Sequence, residues 1–148
     1  MFSKLTQLFG ATAEQSEAAA QDDQSEIVAI TALLIEVAKA DQNWSDMERA
    51  LIQARLVSKY ELTIDQADRI IEEADAAQSD ANDIHQFTKV AKSLDETERT
   101  ALIEEIWRLV LSDDVRDPFE DTLVRRICGL IYVSDQASAE ARRRATLS

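Results

Sequence analysis

The chain has 148 residues, 45% of them hydrophobic, enough for one domain that buries roughly two thirds of its unfolded surface. Only two glycines and one proline stand among abundant Ala, Leu, Ile, Glu, Gln and Arg, which leaves a β-rich or Rossmann-type fold without its glycines and predicts helices joined by short turns. A formal charge of −13 repels phosphate backbones and anionic headgroups, so no nucleic-acid partner is expected, and cations or basic protein surfaces suit the molecule better.

The opening MFSKLTQLF places Phe2, Leu5, Leu8 and Phe9 on one side of a short helix that ends at Gly10. Such a helix can cover its own domain, dock on another subunit or lie on a membrane. Lys4 is its only side-chain cation, so little draws it to an acidic bilayer and a protein contact is the expectation. From Ala11 to Glu26 there are five acids and no base, the composition of a solvated linker or a weak helical lead-in. The domain boundary is placed near Asp23: an amphipathic helix over 1–10, an acidic linker over 11–23 and a helical domain over 24–148.

Helical spacing then governs the chain. Ile27, Ile30, Leu34, Val37 and Ala38 recur at steps of three and four. Met47, Ala50, Leu51, Ala54, Val57 and Tyr60 predict a second helix, and Ile64, Ala67, Ile70, Ile71 and Ala74 a third. A shorter one carries Ile84, Phe87, Val90 and Ala91. A longer one carries Leu102, Ile106, Leu109 and Val110, another Phe119, Leu123, Ile127 and Leu130, and a basic segment follows Ser134. Four capping boxes mark starts: Ser45 with Glu48, Thr63 with Gln66, Ser93 with Glu96, and Asp117 with Glu120, the last with Pro118 at the favoured first position. The expectation is an all-α single-domain bundle of about seven helices.

The reactive residue types are few. Cys128 is the one cysteine, which excludes an intramolecular disulfide and suits a reducing compartment. No run of about eighteen apolar residues exists and the N-terminus lacks a signal-peptide core, so a cytoplasmic protein without membrane contact is expected. Cys128 falls on the apolar side of its helix, as a buried inert thiol does. His85 starts a short helix beside Asp83, with no serine or cysteine at an offset that suggests a nucleophile pair. No enzyme is expected. Trp107 reads as core; Trp44, inside an acidic turn, either anchors a partner or closes the turn over the core. Arg142, Arg143 and Arg144 favour a helix C-terminus and are too few for a nucleic-acid site.

Two acidic turns repeat each other. At an offset of 72, Asp41, Ser45, Glu48, Leu51 and Ile52 align with Asp113, Asp117, Glu120, Leu123 and Val124, the mark of a duplicated helix-turn-helix hairpin. In each copy one carboxylate leaves a helix end and another sits on the first turn of the next. The residue types suit two uses. They cap helices, satisfying orphan amides, or they offer oxygen ligands to a hard divalent cation, with Ca²⁺ or Mg²⁺ preferred over Zn²⁺ because Cys128 and His85 stand on different predicted helices. An EF-hand is excluded, since glycine is missing at loop position six and Ile52 stands where the bidentate glutamate belongs.

On LLIEVAKADQNWSDMER and IWRLVLSDDVRDPFEDTLVRRICGLIYV, the chain resembles the TerB family, the helical domain named for tellurite-resistance operons, from about Ile27 to Ser134. The opening MFSKLTQLF is similar to the short N-terminal helix of its stand-alone bacterial members. The resemblance implies an all-helical bundle, linked to metal and stress responses, whose acidic turn residues bind a divalent cation: here Asp41, Glu48, Asp113 and Glu120. Gln42 and Asp114 stand where the family usually has glycine after each aspartate, and Arg116 where an apolar residue is usual. The expected role is a non-enzymatic interaction module, monomeric or weakly dimeric, with a protein partner; the alternative is a structural or adaptor module without metal.

Overall fold

The computed structural model describes residues 13–40, 44–112 and 118–147, with side chains over 24–40, 44–112 and 121–147. The amphipathic segment 1–10, Asp41, Asp113 and the Asp117 cap lie outside the described residues. Those described form seven α-helices and no strand: α1 (Ala13–Lys39), α2 (Asp46–Tyr60), α3 (Ile64–Asp80), α4 (His85–Lys92), α5 (Glu96–Leu111), α6 (Pro118–Ile131) and α7 (Asp135–Leu147). Residues 13–23, within the predicted acidic linker, are thus helical.

Helix α1 is the hub. From Ile27 to Ala38 every residue but Glu36 is buried, because α2, α3, α4, α5 and α6 all pack around it. An apolar stripe on one face would suffice for a surface helix; a helix apolar all round must be enclosed. Each fully buried Leu, Ile or Val there contributes on the order of 1.5–3 kcal/mol of transfer free energy. Lys39, in the last turn, pins the end of α1 to α3 through Asp75 and Gln78, the latter at 2.8 Å.

Helices α1–α3 and α5–α7 are two copies of one three-helix unit, with α4 between them. The first helices end at Lys39 and Leu111, and the second begin at Asp46 and Pro118, both pairs 72 residues apart. Helix α6 is one residue shorter than α2, so the third helices, starting at Ile64 and Asp135, are 71 apart. The turn between second and third helices is reproduced closely. Glu61 and Tyr132 both take left-handed backbone, φ 55° and 63°. Leu62 and Val133 are both buried. Thr63 Oγ1 accepts from the Gln66 N–H at 3.1 Å, and Ser134 Oγ from the Ala137 N–H at 3.0 Å. After α6 the Val133 N–H reaches back to the Cys128 carbonyl at 2.9 Å, a Schellman closure that a left-handed residue makes possible. In each unit the third helix packs mainly on the first.

The caps at Ser45 and Thr63 form as the sequence predicts, each with its reciprocal bond from Glu48 or Gln66. The predicted box at Ser93 with Glu96 does not. Ser93 follows the end of α4, its hydroxyl donating to the Val90 carbonyl at 2.6 Å, and Asp95 caps α5 by accepting from the Glu98 N–H at 2.8 Å. Burial of Leu94 holds that residue in the connection and moves the helix start two positions onward.

Candidate functional site

Of the four predicted acidic positions, Glu48 is described in full. It is the third residue of α2 and 7% exposed. Its Oε1 accepts from the Ser45 N–H at 3.3 Å and the Ser45 hydroxyl at 3.2 Å, while Ser45 Oγ accepts from the Glu48 N–H at 3.2 Å. The helix N-terminus adds its own positive end to these donors. Glu120 is the third residue of α6, the equivalent place in the second unit, with its side chain outside the described residues. Asp41 and Asp113 fall in the connections 40–45 and 112–117, which are six residues long in both units. Among the described residues no group of three or more His, Cys, Asp or Glu is arranged to hold a metal ion.

Trp44, two residues before α2, is half-buried and packs against the core. His85 is exposed at the start of α4, and its backbone N–H donates to Asp83 Oδ1 at 2.8 Å. Cys128 is buried at 2%. Burial pushes its thiol above the usual range; a hydrogen bond with Ser138 works the other way, and the Asp135 charge adds to the rise. A protonated, covered thiol is a poor nucleophile.

Two polar arrangements escaped sequence reasoning. Glu105 on α5 is buried at 5% and accepts from Arg55 at 2.9 Å and Lys59 at 3.4 Å, both on α2; Lys59 also reaches Glu98 at 3.5 Å. Nearby, burial first, then the carboxylates of Glu105, Glu98 and Glu26, push the Tyr60 phenol well above its ordinary range. The one sequence signal was Glu105 itself, a charge standing on the apolar face between Leu102 and Leu109. The second arrangement surrounds Trp107, buried as predicted at 7%. Its Nε1–H donates to Ser138 Oγ at 3.1 Å, and the Arg142 guanidinium stacks over its ring at 5.1 Å. Arg144 turns away to pair with Glu104.

No helix among the described residues is long and apolar enough to cross a membrane. No curated protein and no solved structure matches the chain. The family model described as Tellurite resistance protein TerB matches residues 27–143, a span that runs from the first buried isoleucine of α1 through most of α7 and takes in both three-helix units. The chain belongs to the TerB family.

Proposed function

We propose that this TerB-family domain is a non-enzymatic cytoplasmic interaction module, acting in metal or stress response, whose two acidic turns together hold one divalent cation. Asp41 and Glu48 from the first unit and Asp113 and Glu120 from the second supply the carboxylates. The observation that carries this reading is the repeat of both helix boundaries at 72 residues, which sets Glu48 and Glu120 at the same third position of their helices. Glu48 is a covered carboxylate, and covered carboxylates are held by donors or cations. An all-oxygen donor set suits Ca²⁺ or Mg²⁺ and not Zn²⁺. The bound ion would neutralise repelling carboxylates and tie the two units at their turns.

The second reading, an adaptor bundle without metal, is favoured by the bonds from Ser45 that already occupy Glu48 Oε1. One experiment separates the two. Titration calorimetry with Ca²⁺, Mg²⁺, Mn²⁺ and Zn²⁺ gives saturable heat for wild type and none for Asp41→Ala/Asp113→Ala if the cation reading holds; a flat wild-type isotherm retires it. Glu48→Gln sharpens the result, because glutamine keeps the capping box but not the charge. It lowers the melting temperature in chelator only slightly, through loss of the charge at the helix N-terminus, and abolishes the rise on adding the ion.

A further inference from the structure

The positions that seal the first unit open a cleft in the second. Between α2 and α3 stand Ile52, Leu56, Ala67 and Ile71, over Ile35 of α1, and all five are 3% exposed or less. Their counterparts, at offsets of 72 or 71, are Val124, Cys128, Ser138 and Arg142, over Trp107. Valine and cysteine are smaller than isoleucine and leucine, and Arg142 lies back along the indole instead of plugging the gap. A cleft of about 720 Å³ lies there between α6 and α7, with Trp107, Val124 and Cys128 among its lining residues. That size accommodates a small organic molecule.

Its charge is unusual for an acidic protein. Arg125, Arg142 and Arg143 line it, and none makes an ion pair among the described residues, whereas Arg55, Arg108 and Arg144 are paired with glutamates. Guanidinium groups in a cleft present fork-shaped donors that match a carboxylate. Asp121 and Asp135 also line it, so carboxylates share the cleft with the three guanidinium groups and temper its positive charge. Those carboxylates and the overall charge of −13 repel a phosphate dianion or polyphosphate more than they repel a monoanion. The edge of Trp107 and the aliphatic stems of the arginines offer a carbon skeleton its apolar contacts.

We infer that the α6–α7 cleft binds a monocarboxylate with an aromatic or branched apolar body, the carboxylate held by Arg125 and Arg142 and the body seated beside Trp107. The inference stands independently of a cation at the acidic turns.

The test uses the full chain carrying Trp44→Phe, so that Trp107 is the sole indole reporter. Titration with 3-phenylpropionate is expected to give a saturable change in Trp107 fluorescence, whereas 3-phenylpropanol and inorganic phosphate give little. Arg125→Gln, an exposed site whose replacement leaves the circular dichroism intact, weakens binding roughly tenfold or more through loss of a charge-assisted bond; Arg142→Gln does the same. Arg126→Gln, exposed on α6 and outside the cleft lining, leaves it unchanged. Absence of saturation at millimolar concentration overturns the site. Equal weakening by Arg126→Gln shows a diffuse charge effect and overturns it too, and phosphate binding as tightly as the carboxylate overturns the ligand class.

Discussion

The two units share a backbone plan and differ in how they fill it. Where the first wedges isoleucine between its second and third helices, the second lays an arginine on a tryptophan. A complementary exchange occurs where the units meet. Helix α1 packs on α6 with Leu33 and Ile127 fully buried, while their counterparts Glu105 and Arg55 form an ion pair between α5 and α2. Helix boundaries and turns survive both exchanges. The plan therefore resides in caps, left-handed turns and helix lengths, and the interior tolerates either chemistry as long as volume is filled and charges are paired.

The comparison breaks hardest at Ile71. Putting arginine there, as at its counterpart Arg142, buries an unpaired cation and is expected to cost about 4 kcal/mol or more, read as a fall in the urea midpoint at unchanged slope. The reverse change, Arg142→Ile, costs under about 1 kcal/mol, since Arg142 is only half-buried. The ion pair comes next. Glu105→Leu alone leaves Arg55 and Lys59 short of a partner and costs about 2 kcal/mol, whereas Glu105→Leu/Arg55→Ile, copying Leu33 and Ile127, restores wild-type stability or exceeds it. With Arg55→Ile added, chemical denaturation of the four proteins measures the coupling directly.

A third test uses pH. Tyr60 is held protonated in the folded state, so its contribution is complete below the unfolded phenol's pKa near 10 and is lost as pH climbs toward the folded value. Stability is expected to fall by up to about 1.4 kcal/mol per pH unit above pH ~10. Tyr60→Phe, assayed by urea denaturation at stepped alkaline pH, flattens that slope. The smallest effect concerns the shared turns. Glu61→Gly relieves left-handed strain and raises stability by about 0.5–1 kcal/mol. Tyr132→Gly gains less, because it forfeits the ring that stands 4.7 Å from the Lys92 ammonium. Thermal melts of both variants rank them.

Most of the architecture was readable because its signals are local. Ser45 and Thr63 announce their helices within four residues, and the duplicated hairpin shows as a repeat of polar and apolar types at fixed offset. Ser93 misled by two residues because Ser93 and Asp95 both precede a glutamate by three, and only the burial of Leu94 decides between them. Glu105 could be seen as out of place on its stripe, yet its partner Arg55 lies 50 residues away and no local pattern links the two. The cleft was hidden for a related reason. Arg142 reads as a C-terminal basic residue until α7 is laid over α3 and the isoleucine at the matching place becomes visible. At the acidic turn, the sequence offered capping and ligation as alternative duties for Glu48, and its bonds to Ser45 fulfil the first.

The encirclement of α1 also has a cost in time. A ribosome finishes this greasy helix first, yet the last wall around it, α6, ends at Ile131, about ninety residues later. At typical elongation rates of ~5–20 residues per second the enclosure of α1 takes on the order of 5–20 s to complete, with α3, α4 and α5 covering it in stages before α6 closes the last side.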